Sequence, residues 1–140
     1  MIKLIGFLNS PRRDDTLLRE AGVRLDRALF PLLVRLGMSG ALSVGDLADQ
    51  VGRDHTTVSR QLAKLEDLGL VARQAADADR RVKAAVLTAE GEAVVEAITA
   101  ARRRLLTRAL AGWTENDRTS LAVLNRRLVD SLVEAAEGAP

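Results

Sequence analysis

Arg60 and Lys64 stand four residues apart in the run Asp54-His-Thr-Thr-Val-Ser-Arg-Gln-Leu-Ala-Lys-Leu-Glu-Asp-Leu-Gly69, with His55, Thr56, Thr57 and Ser59 just ahead of them. Two cations one helical turn apart can follow a phosphate strand, or one can set its guanidinium on a guanine edge. The short hydroxyls can meet bases, thymine methyls or phosphate oxygens. Hydroxyls also suit the first turn of a helix, so for Thr57 both roles are open. Arg53 precedes the run and is expected to hold phosphate rather than to read a base. His55 is the only histidine of the chain and has no second ligand nearby in sequence, which favours a DNA-facing place over a metal site.

These side chains need a scaffold that turns them outward. Val58, Leu62, Leu65 and Leu68 recur at helical spacing on the same segment, and Val44, Leu47, Ala48 and Val51 do so on the segment before it. With those eight facing inward, His55, Thr56, Ser59, Arg60, Ala63 and Lys64 face out. Asp54 is expected to cap the second helix and Gly69 to stop it. Two short amphipathic helices joined by a glycine turn make a helix-turn-helix. Leu70-Val-Ala-Arg73, the charged loop Asp77-Ala-Asp-Arg-Arg81 and Val82-Lys-Ala-Ala-Val-Leu87 then read as a β-hairpin. A helix-turn-helix followed by a basic hairpin is a winged helix. Asp77 and Asp79 would repel phosphate if free, so they are expected to stiffen the wing by pairing with Arg80, Arg81 or Arg73, while Lys83 joins the basic set.

The flanking segments read as helices. One starts with a cap near Asp14 to Thr16, runs to Ala21 and breaks at Gly22. A second spans about Arg27 to Leu36, irregular near Phe30 because of Pro31, and ends at Gly37 and Gly40. Ala41-Leu-Ser43 suits a short strand paired with the hairpin, and Ser43 with Asp46 suits the cap of the next helix. Thr88 caps a long helix from about Ala89 in which Val94, Ile98, Ala101 and Leu105 share a face. Gly112-Trp113 interrupts it, and Thr114 with Asp117 opens a last helix striped with Leu121, Leu124, Leu128 and Leu132. Both stripes reach past what one small winged-helix core can cover, and burial against a second copy is the simplest partner for them. Phe30 and Trp113 are read as core before they are read as the lining of an effector pocket.

Composition sets the outer bounds. At 140 residues the chain reads as one domain, and only two Phe and one Trp mean a core of Leu, Val and Ala, which favours helices. Without cysteine there is no disulfide or thiol chemistry. No segment is long enough to span a bilayer, and Met1 to Leu8 is too short for a signal-peptide core, so a cytoplasmic place is expected. The net charge is only +2, but all of it falls between Arg53 and Lys83, where seven basic residues face five acidic ones. The cluster Arg102-Arg-Arg104 with Arg108 reads as a solvated helix face paired with acids such as Asp130 or Glu134.

Leu47-Ala48, Arg53-Asp-His-Thr-Thr-Val-Ser-Arg60, Leu65-Glu-Asp-Leu-Gly-Leu-Val71, Asp79-Arg-Arg81 and Leu87-Thr-Ala-Glu-Gly91 together resemble the MarR family of bacterial transcriptional regulators. The resemblance implies a mainly α fold with a small β-hairpin wing: a winged helix-turn-helix at 28–91, flanked at 1–27 and 92–140 by dimerisation helices. It implies a homodimer on a pseudo-palindromic duplex, a repressor, and release by a small-molecule effector in many members, with no cofactor. Its recognition helix would be Asp54 to Leu68, offering His55, Thr56, Thr57, Ser59, Arg60 and Lys64, while Arg80 and Arg81 of the wing would meet the minor groove. The wing departs from the family pattern at Ala76 and Ala78, which leaves open which arginine enters the groove.

Other classes fit less well. A winged-helix module that docks protein would show aromatic or large apolar anchors on the outward face, and none stands there. An enzyme lacks its parts here: no Cys nucleophile, no second His, no glycine-rich phosphate loop and no carboxylate pair framed for acid–base work.

Overall fold

The computed structural model describes residues 2–75 and 83–138. In chain order the elements are α1 (Ile2–Leu8), α2 (Pro11–Ala21), a 3-10 turn (Arg27–Leu29), α3 (Phe30–Ser39), β1 (Leu42–Ser43), α4 (Val44–Val51), α5 (His55–Asp67), β2 (Val71–Ala75), β3 (Lys83–Leu87), α6 (Ala89–Ala109) and α7 (Glu115–Glu137). They fall into two compact units, one ending at Arg103 and one beginning at Arg104. The fold class read from the sequence holds: mainly helical, with one small antiparallel sheet.

The sheet has the order β1-β3-β2. Ser43 pairs with Ala84 and Leu42 with Ala85, and on the other edge of β3 Val71 pairs with Leu87, Arg73 with Ala85 and Ala75 with Lys83. The small side chains of Ala84 and Ala85, both buried, let the sheet sit close on the helices. One hydrophobic cluster joins α3, α4, α5 and the sheet through Leu32, Leu36, Leu47, Val58, Leu62 and Leu65, all but fully buried.

Most helix starts obey the local chemistry expected of them. Ser43 Oγ accepts from the Asp46 amide at 3.1 Å, Asp54 Oδ1 from the Thr57 amide at 2.8 Å, Thr88 Oγ1 from the Gly91 amide at 3.1 Å and Thr114 Oγ1 from the Asp117 amide at 3.1 Å. The irregularity expected at Phe30 is the 3-10 turn, whose Ala28 amide is capped by Asp26 Oδ1, with Pro31 in the first turn of α3.

Four details differ from the sequence reading. α2 starts at Pro11 rather than near Asp14, because Ser10 in extended conformation followed by proline at the first helical position is itself a start signal; Thr16 instead returns its hydroxyl to Arg12 O. α3 runs on through Gly37 to Ser39 and stops at Gly40, which has φ +72°. Gly37 stays in the helix because α6 packs there: a Cβ would come within 2.9 Å of Val95 Cγ1. Leu68 is 55% exposed rather than inward, since α5 ends at Asp67, the chain reverses at Gly69, and Leu70 and Val71 take the place against the core. Trp113 is 45% exposed, whereas Phe30 is buried as expected.

In the second unit no described residue of α7 is buried, and Leu121, Leu124, Leu128 and Leu132 are between 41% and 60% exposed. Leu4, Ile5, Phe7 and Leu8 of α1 are likewise exposed. No helix of the described residues is long and apolar enough to cross a membrane.

The cluster gives a direct test. Leu62→Ala removes a fully buried side chain of that cluster, and should lower unfolding free energy by about 2–5 kcal/mol in chemical denaturation. A loss under about 1 kcal/mol would mean that α5 does not depend on this packing.

Candidate nucleic-acid interface

The face of α5 opposite its buried stripe is the only place where hydroxyls, histidine and two spaced cations were expected together, and their exposure follows from the helical period. Val58, Leu62 and Leu65 are fully buried. His55, Thr56, Arg60 and Lys64 are exposed, while Thr57 and Ser59 are half-buried at the margins. Arg60 and Lys64 therefore stand one turn apart on open surface. The His55 ring sits beside Gly45 in the first turn of α4. Among the described residues, no group of three His, Cys, Asp or Glu side chains could hold a metal ion.

Both readings of Thr57 bear on the start of the helix. Its amide donates to Asp54 Oδ1 at 2.8 Å and its hydroxyl to Asp54 Oδ2 at 2.7 Å, so both carboxylate oxygens of the cap are occupied by one residue. These bonds, the amide first and the hydroxyl second, hold the Asp54 carboxyl below the usual aspartate range, with a smaller contribution from the Arg60 charge.

Arg53 takes a course that its sequence position did not signal. Its amide donates to Ala48 O as the chain leaves α4, and its half-buried side chain turns back into the protein. Nη1 donates to Ala28 O at 2.7 Å and to Gln61 Oε1 at 2.8 Å.

A second charged contact links α5 to the wing: Arg73 of β2 pairs with Glu66 near the end of α5. Arg73 thus has an acidic partner on the helix, a pairing that sequence reasoning, which looked to Asp77 and Asp79, did not find. Spacing alone could not reveal it, because the two residues meet only after the Gly69 turn folds β2 back along the helix. Lys83 is exposed at the far end of β3. The remaining wing residues, Asp77, Asp79, Arg80 and Arg81, lie outside the described residues.

The base of the wing is fixed by Thr88. Its hydroxyl donates to Gly69 O at 2.6 Å and its amide to Leu70 O at 3.1 Å. Gly91 then approaches so closely that a Cβ there would lie 2.0 Å from Leu70 O. The turn after α5 and the first turn of α6 are in backbone contact.

The Asp54 cap predicts its own titration. Because the folded-state value is depressed, the stability the carboxylate contributes is present above the ordinary aspartate range and is lost as pH falls through the depressed value. A side-chain NMR titration should place the Asp54 midpoint below that of an unstructured aspartate, and Thr57→Val should raise it only part of the way, since the amide bond remains. An unshifted midpoint in the unmodified protein would contradict the cap.

Comparison with known proteins agrees with this geometry. Residues 25–83 match the model of the MarR family. The chain is 29% identical over 100 residues to the HTH-type transcriptional repressor MdtR of Bacillus subtilis, covering 71% of this chain and 64% of that repressor's own length. Among solved structures, a MarR family protein from Bacillus stearothermophilus superposes with a TM-score of 0.80 at 24% identity, over 94% of this chain and 91% of the other. The YusO protein of Bacillus subtilis does so with a TM-score of 0.67 at 26% identity, over 92% and 91%. Residues 25–83, which help to build the winged helix-turn-helix, are thus similar in sequence to the MarR family, and the fold around them is that of solved MarR family structures.

Proposed function

We propose that the chain is a DNA-binding transcriptional repressor that acts as a homodimer on a pseudo-palindromic operator. The observation that carries this reading is the two-sidedness of α5: one face sealed by Val58, Leu62 and Leu65, the other presenting His55, Thr56, Arg60 and Lys64 to solvent. Placed in a major groove, that face sets Arg60 against a base edge and Lys64 against phosphate, with Thr57 and Ser59 at the margins. Lys83, and with it Arg80 and Arg81, follow the adjacent minor groove, where width and A·T content are read.

Dimerisation is supported by the apolar side chains that α1 and α7 leave exposed. Leu121, Leu124, Leu128 and Leu132 make a stripe of a length that a second copy can cover. A second copy also provides the two recognition helices that a two-fold operator needs, with half-sites about one helical turn, ~10 bp, apart. A regulator of this kind works on the chromosome, in the cytoplasm.

Binding to duplex DNA should weaken linearly on a log–log plot against salt, by about 0.9 of slope per neutralised phosphate. Lys64→Ala should reduce that slope by about 1, whereas Arg60→Ala should cost about 1–3 kcal/mol of discrimination in a binding-site selection. Flat or absent binding across a random and a selected pool would favour protein docking by the same face. Removing the residues after Trp113 should yield monomers with much weaker operator binding, measured by mass and by mobility shift. A truncated chain that stayed dimeric would refute the role given to α7.

A further inference from the structure

Arg53 is the one cation of the helix-turn-helix whose side chain faces the protein. It sits in the two-residue link between α4 and α5, after the left-handed Gly52 and before the cap Asp54. From there Nη1 reaches two acceptors on different elements: Ala28 O in the 3-10 turn at 2.7 Å and Gln61 Oε1, two turns along α5, at 2.8 Å. Ala28 O is suited to an outside donor, because Pro31, three residues on, has no N–H to return to it. The turn itself is held in place by Asp26, which caps the Ala28 amide at 2.9 Å. Gln61 is half-buried between Leu62 of the core and the outward Arg60.

We propose that Arg53 is a positioning residue for DNA recognition: its guanidinium ties the start and the middle of α5 to the 3-10 turn and so sets the angle at which the outward face meets a groove. This rests on the regulator reading given above and assigns Arg53 a different task from the phosphate contact that its sequence position suggested. A charge-assisted bond to a half-buried carbonyl is weakened less by salt than one to water-exposed phosphate, where salt ions compete. Without Arg53 the Ala28 carbonyl and the Gln61 amide lose their donor in a place that water reaches only in part. α5 is then held by its apolar stripe and by the Glu66–Arg73 pair near its far end, while its start has lost the tie to the 3-10 turn that fixes small tilts. Affinity falls for every sequence, and the number of phosphates neutralised stays the same.

The test is a set of variants measured for operator affinity across a salt series, together with hydrogen exchange of the DNA-free protein. Arg53→Met, which keeps the length of the side chain, should weaken binding about tenfold. The slope of log affinity against log salt should stay unchanged, and the amides of α5 around Thr57 to Gln61 should exchange faster. Gln61→Leu should weaken binding in the same way, and the double variant should be little worse than Arg53→Met alone, since both break one tie. Gln61→Glu keeps an acceptor for Nη1 and should retain affinity. A slope reduced by about 0.9 in Arg53→Met would show a phosphate contact and overturn the proposal. Additive losses in the double variant, or unchanged affinity and exchange in Arg53→Met, would do the same. Should Arg53→Met fail to fold, the contrast between Gln61→Leu and Gln61→Glu decides the matter in a chain with Arg53 in place. An unmodified protein that bound no duplex would end the regulator reading, while the exchange measurement would still decide whether the tie holds α5.

Discussion

Everything that the outward face of α5 can do depends on the burial of Val58, Leu62 and Leu65 beneath it. These three side chains fill the space between α3, α4 and the sheet, and a helix with one dry stripe has only one way to lie. Rotation by one residue, about 100°, would drive Ser59 or Ala63 into the core and bring a leucine to the surface, so the free-energy cost of mis-seating is that of exposing whole leucines. The polar face is therefore placed by the apolar one. Hydrogen bonds refine what the stripe sets: Thr57 fastens the first turn to Asp54, Arg53 reaches to the 3-10 turn, and Glu66 meets Arg73 at the other end.

Much of this was legible in the residues because it is local or strictly periodic. The caps Ser43, Asp54, Thr88 and Thr114 are read from a side chain and an amide three positions on, and the stripe of α5 repeats within one helix. The short strand expected at Ala41 to Ser43, paired with the hairpin, is found at Leu42–Ser43 against β3. What could not be read is what depends on a neighbour distant in sequence. Gly37 looks like a helix breaker, yet it is a site of close approach by Val95, 58 positions on. Leu68 continues the period of its helix on paper, but the helix has ended and the next two residues supply the core contact instead.

The charged residues show the same limit more sharply. Arg53, Arg60, Lys64 and Arg73 look alike in a count of basic residues, and the excess they create across the motif is small. In the fold they divide: Arg60 and Lys64 are open to solvent, Arg73 is matched by Glu66, and Arg53 is engaged with Ala28 and Gln61. Of the four, only Arg73 has its charge offset by an acid; Arg53 keeps its charge beside neutral acceptors, and Arg60 and Lys64 are the two whose heads an approaching polyanion can touch directly.

The contact between Gly91 and Leu70 O has a bearing on how sequences of this type can drift. With no room for even a methyl group, that position tolerates a single residue type as long as the turn before it keeps its path. Its intolerance is as strict as that of any base-reading side chain, but the cause is steric and lies wholly inside the protein. A survey that ranked positions by invariance would mark it as a recognition residue, and engineers wishing to retarget such a scaffold should leave it untouched while varying the open face of the helix.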